Sequence, residues 1–202
     1  MGFITKIFHN KVVYTRRMTR LTELILPLLK HSKNILDVGC GDGKIDNYLL
    51  TQNSSISIQG IDVLVRSDTY IDVKEYDGKT IPYDDNSFDT VIVIDVLHHT
   101  DNPSALVGEL KRVSSKYVII KDHVQYGIIS YLKLRMMDYV GNAHYNVRLP
   151  YNYQTGKQWE EIFRENRLKP VKIQRDLNLY TGLFHYFFDR KLHFIAVLRK
   201  EK

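Results

Sequence analysis

The stretch from Asn34 to Gly43, Asn-Ile-Leu-Asp-Val-Gly-Cys-Gly-Asp-Gly, constrains this chain more than any other. Ile35, Leu36 and Val38 form a short apolar run of the kind a buried parallel strand shows. The run stops at Gly39, Gly41 and Gly43, and Lys44 to Leu50 reads as the start of a helix. Glycines at such a turn let the backbone bend tightly and let a ligand approach with no Cβ in the way. The spacing is G-x-G-x-G with Asp37 two residues upstream. Dinucleotide-binding turns instead carry G-x-G-x-x-G.

The rest of the chain reads as alternating strands and helices. Apolar residues at 3–4 spacing predict an amphipathic helix over 14–30, kinked or cut short by Pro27. A helix at 44–51 follows the glycine turn, then a strand over 56–61 ending on Asp62, and a short strand over 69–76 ending on Asp77. Only fourteen residues separate Asp62 from Asp77, too few for a helix and a strand, so a turn is expected there. Residues 90–97 are almost continuously apolar, as in a strand covered on both faces. A helix over 103–114 and a strand over 116–121 come next, delivering Asp122 and His123.

Thr155-Gly-Lys-Gln158 matches a capping box and predicts a helix from 156 to about 166. Strands over 168–176 and 192–199 close the chain, with an aromatic loop between them. The expected fold is α/β: a doubly wound, Rossmann-like sheet, mostly parallel, with a C-terminal antiparallel strand and helices on both faces. A length of 202 residues fits a single domain over 1–202, with an N-terminal helical cap over 1–33 and an inserted lid over 124–154. In such a sheet the ligand crevice lies at the carboxyl ends of the strands. Asp37, Asp62, Asp77, Asp95 and Asp122 all fall at or beside those ends.

Acid-x-Gly-x-Gly-x-Gly, as Asp37 to Gly43, closely resembles the first motif of class I S-adenosylmethionine-dependent methyltransferases. Asp77-Gly78 and the loop through Asp89 resemble that family's third-strand loop. Val93-Ile94-Asp95-Val96-Leu97-His98-His99 is similar to the fourth-strand motif of the small-molecule branch, the ubiquinone/menaquinone-type enzymes. The resemblance covers residues 34–121 well and 155–199 in outline. It implies S-adenosyl-L-methionine as cofactor, held by Asp37, Gly39, Gly41, Gly43, Asp62 with the adjoining Val63, Asp77, Gly78 and Asp95. Asp62 would accept from the ribose hydroxyls, and Asp77 from the adenine amino group.

Methyl transfer depends chiefly on holding nucleophile and methyl in line. A base is needed only for a protonated acceptor, and His98, His99 and His123 are the candidates. No metal site is expected, because adjacent histidines in a strand or turn point apart and no third ligand is spaced beside them. The acceptor implied is a small molecule, anionic or lipid-like, methylated on oxygen, nitrogen or carbon. Tyr126, His144, Tyr151 and Tyr153 of the lid would contact it. Two rival readings are a nucleic-acid or ribonucleoprotein methyltransferase and a non-catalytic cofactor-binding scaffold.

The first rival lacks an Asn/Asp-Pro-Pro-Tyr/Phe tetrad, and Cys40 lies inside the glycine loop, away from where a catalytic thiol would stand. Charge is unevenly spread: +6 over residues 1–33, −6 over 34–121 and +6 over 122–202. An acidic middle suits a cationic cofactor, and basic flanks suit an anionic acceptor or surface. No run reaches membrane-spanning length and the N-terminus shows no signal-peptide pattern, so a cytoplasmic location is expected.

Overall fold

The computed structural model describes residues 11–142 and 149–201. Its first helix, α1 (Lys11–Ile25), runs into a 3-10 turn over Leu26–Leu29, where Pro27 removes a backbone donor. Then follow β1 (Asn34–Val38), α2 (Lys44–Gln52), β2 (Ser57–Asp62), β3 (Val73–Glu75) and β4 (Phe88–Ile94). A 3-10 turn over Leu97–His99 leads to α3 (Pro103–Val113), β5 (Ser114–His123), α4 (Ile128–Asn142), α5 (Gly156–Glu165), β6 (Leu168–Arg175), α6 (Gly182–Phe188) and β7 (His193–Lys200).

The seven strands form one sheet in the order β3-β2-β1-β4-β5-β7-β6. The first five strands pair in parallel, and β7 runs antiparallel to both β5 and β6. The order reverses between β2-β1 and β4, which opens a crevice above the carboxyl end of β1. Strand alternation feeds two cores. Leu36, Val38, Val91, Val93, Val118 and Ile120 pack with α3 and α5 on one face. Ile35, Ile92, Ile119 and Ile195 pack with α1, α2 and α4 on the other.

The expected mostly parallel sheet with one antiparallel strand is present, and β2 passes to β3 without a helix. Four readings need correction. The fourth strand spans Phe88–Ile94 and stops before Asp95, whose φ of 57° ends it, so Val96 and Leu97 lie outside the strand. The third strand is three residues long, because Thr69 to Asp72 turn back to let Tyr70 N donate to Asp42 O at 2.7 Å. β5 runs two residues further than its apolar run, so Asp122 and His123 are strand residues paired with Phe194 and His193. The aromatic segment before β7 contains α6, whose seven residues are too few to show a helical period. Among the described residues no helix is long and apolar enough to cross a membrane.

Candidate active site

The glycine turn leaves β1 through three left-handed residues, Gly39 (φ 76°), Gly41 (φ 63°) and Gly43 (φ 71°). A Cβ at Gly39 would stand 2.4 Å from Val96 Cγ2, and one at Gly43 would stand 2.3 Å from Ile71 Cγ1. Both positions therefore require glycine for space as well as for backbone angle. Four of the loop's backbone donors are satisfied inside the protein. Gly39 N and Cys40 N donate to Ile61 O, Gly43 N donates to Cys40 O, and Gly41 N donates to Asp62 Oδ2 at 2.8 Å.

Acids and two arginines surround the cleft above the loop. It is lined by Tyr14, Arg17, Asp37, Gly39, Gly41 and Arg66, among others. Asp37 is buried, and its Oδ1 has no hydrogen-bond partner among the described residues. Burial and the facing Asp46 push the Asp37 carboxyl well above the usual range, and burial raises Asp46 to about 7. Asp62, at the end of β2, accepts from Leu64 N with its other oxygen. Val63 is 54 % exposed beside it, within 3.0 Å of where a Gly78 Cβ would stand. Asp77 is exposed; Thr80 N and Lys79 N both donate to its Oδ1 and lower its pKa.

Asp95 differs from the other strand-end acids. It has φ 57°, and its carboxylate meets Arg17 of α1 and, at 2.5 Å, Lys121 Nζ of β5. Burial would raise its pKa, but Lys121, His123 and Arg17 outweigh that and hold it ionised. Arg17 thus fixes the N-terminal helix to the carboxyl end of β4. Lys121 is 1 % exposed and also touches His193 Nδ1 at 3.3 Å. The sequence did contain a signal for it, a lysine ending an otherwise apolar strand.

The expectation that His98 and His99 point apart is overturned. The 3-10 turn sets their ring centroids 4.1 Å apart. A third group, Asp138, arrives from α4, 39 residues away, where sequence spacing could not reveal it. Donor atoms of His98, His99 and Asp138 lie within 4.8 Å of one another, a spacing a divalent cation could use. His98 lies between two carboxylates, with Nδ1 2.6 Å from Asp122 Oδ1 and Nε2 3.2 Å from Asp138 Oδ2. Burial lowers its pKa, but Asp122 and Asp138 raise it further, to about 10. A protonated His98 therefore already meets the charge of both acids.

The other two histidines are neutral. Burial and then His98 lower His99 to about 4, and burial lowers His123. Tyr153 of the lid is buried and donates to Asp138, pinning α4 to this cluster. Tyr151 is half-buried under Arg135, whose guanidinium lies 4.8 Å from the ring centroid. Tyr126 is exposed and accepts from Arg175 Nη1 at 2.6 Å. His144 lies outside the described residues. Between α4 and α6 opens a cavity of about 720 Å³, lined by Tyr126, Ile129, Lys133, Tyr186 and Phe187 with others.

A mostly parallel sheet with this strand order and a glycine turn closing its first strand define a Rossmann-like domain. A family model described as a methyltransferase domain matches residues 11–173, and the chain belongs to that family. It is a class I S-adenosylmethionine-dependent methyltransferase, and S-adenosylmethionine is its cofactor. No curated protein matches the chain in sequence.

Solved structures are similar in fold. A SAM-dependent methyltransferase from Aquifex aeolicus shares 16% identity at a TM-score of 0.60, over 89% of each chain. Magnesium protoporphyrin IX methyltransferase from Synechocystis PCC 6803, solved with SAH, shares 16% at 0.63, over 100% of this chain and 89% of its own. Geranyl diphosphate methyltransferase, solved with GPP and sinefungin, shares 12% at 0.67, over 91% and 78%. The residues present fit the cofactor: Asp37 keeps one oxygen without a partner among the described residues, able to accept from a ligand N–H, and Arg17 and Arg66 line the cleft where a carboxylate would meet charge.

Proposed function

We propose that this methyltransferase acts on a small, amphipathic acceptor received between α4 and α6. One observation carries this reading: the cavity there has apolar walls in Ile128, Ile129, Tyr186, Phe187 and Leu192 and carries Lys133, Asp176 and Lys191 as polar handles, as small-molecule pockets do. Two proteins of similar fold are named for small-molecule substrates, magnesium protoporphyrin IX and geranyl diphosphate. The cofactor, when bound, supplies an electrophilic methyl group. In the proposed assignment Asp37, Gly39, Gly41 and Gly43 hold its methionine end, Asp62 with Val63 its ribose, and Asp77 with Gly78 its adenine.

The chain's remaining work is to place the acceptor and exclude water. Arg17 and Lys121 hold Asp95 in a fixed orientation at the carboxyl end of β4. His98 is not the base, because at neutral pH it already carries its proton. His123 is neutral and its ring is oriented by Asp122, so we assign it the proton of a hydroxyl or acidic-carbon acceptor.

The test supplies methyl-labelled cofactor together with separated small-molecule, RNA and protein fractions of a cell extract. Label should enter the small-molecule fraction, and Phe187→Ala should cut the transfer at least tenfold while leaving cofactor affinity unchanged. Label confined to RNA or protein would contradict the reading.

A further inference from the structure

Helix α4 has no polar face. Its inner side buries Leu134, Met137 and Val140. Its outer side leaves Ile128 75 %, Ile129 71 % and Leu132 57 % exposed, with Met136 and Tyr139 continuing the line. At 3.6 residues per turn these five side chains fall on one stripe about 100° wide. A helix that is apolar all round is normally covered on all sides. The stripe extends onto the neighbouring α6, where Leu183 is 76 % exposed and Tyr186 and Phe187 are largely exposed as well.

Basic side chains predominate around this surface. Helix α4 carries three charged residues, Lys133, Arg135 and Asp138, and the acid is buried against His98. On the helical wheel Lys133 and Arg135 stand at opposite edges of the apolar stripe. Lys133 lies 5.4 Å from the Phe187 ring centroid, and exposed Lys191 lines the cavity between the helices. Asp189 in the same cavity wall is fully buried, which leaves Asp176 as the exposed acid. An apolar stripe with aromatic residues and a cationic border matches a helix lying in the plane of a lipid interface.

We propose that the outer faces of α4 and α6 dock this enzyme on an anionic membrane surface. Apolar side chains enter the acyl boundary while Lys133 and Arg135 stretch to the headgroups. The cavity between the two helices then opens toward the bilayer. The docking rests on exposure and charge alone, and its test uses no acceptor, so it stands or falls separately from the small-molecule reading.

The test is co-sedimentation of the full chain with vesicles of phosphatidylcholine and phosphatidylglycerol, against vesicles of phosphatidylcholine alone. Binding should favour the anionic vesicles at least tenfold and weaken steeply with added salt. Leu132→Glu with Leu183→Glu should abolish it, and Lys133→Gln with Arg135→Gln should reduce it to the level seen with neutral vesicles. Cofactor affinity, measured on each variant, should stay at the wild-type value and certifies the fold. Absence of binding at low salt overturns the proposal, and so does binding unchanged in the leucine double variant. A wild-type dimer that becomes monomeric in that variant overturns it too, since the face would then serve a second copy of this chain.

Discussion

At the residue scale the instructive group is His98, a buried cation whose two nitrogens face Asp122 and Asp138. Removing one partner of such a cluster leaves buried charge uncompensated, at a cost of about 3–5 kcal/mol. His98→Gln should lower unfolding stability at neutral pH by that order. The pH signature is specific. The folded pKa of about 10 lies above the unfolded value of about 6.5, so the contribution is complete below pH 6.5 and lost as pH rises through 10. Asp46, raised to about 7, gives a separate loss at lower pH, between about 4 and 7. Urea unfolding from pH 5 to 10 should show both slopes in the wild type. The upper slope alone should vanish in His98→Gln, and an unchanged upper slope would refute the protonated cluster.

At the scale of elements, α5 was the most legible from sequence. Thr155 accepts from Gln158 N, and Gln158 Oε1 accepts from Thr155 N at 2.8 Å, as the capping-box spacing implies. Thr155→Ala should cost about 1 kcal/mol and lower Tm by about 2–4 °C in a calorimetric scan. A Tm unchanged within a degree would show that docking of Trp159 and Phe163 holds the helix without its cap.

The glycine turn, the four central strands and α3 were readable because each rests on local chemistry: apolar runs, glycine angles and a proline at a helix start. What escaped rests on long-range contact. Asp138 joins His98 across 40 positions, and Lys121 finds Asp95 only once β4 and β5 lie side by side. The length of β5 was misread because its last two residues are polar; they stay in the strand because β7 pairs with them. The acids at the strand ends were visible, yet their different roles were not. Asp37 keeps one oxygen without a hydrogen-bond partner among the described residues, Asp62 caps the glycine loop, and Asp95 is neutralised by two cations.

At the scale of the molecule, the cleft sits where the strand order reverses, lined on one side by Tyr14, Arg17 and Met18 of α1. The basic segment over residues 1–33 contributes through Arg17, and the basic C-terminal part borders the apolar surface of α4 and α6. The proposed assignment places S-adenosylmethionine in the cleft above Asp37 to Gly43 with Asp62 on its ribose. Its most direct test is calorimetric titration of the demethylated cofactor and of NAD into the wild type and Asp62→Ala. A charge-assisted hydrogen bond contributes about 1.5–3 kcal/mol, so the variant should bind the demethylated cofactor about 10- to 100-fold more weakly, and neither protein should bind NAD. Wild-type affinity in Asp62→Ala, or binding of NAD in place of the demethylated cofactor, would contradict the account.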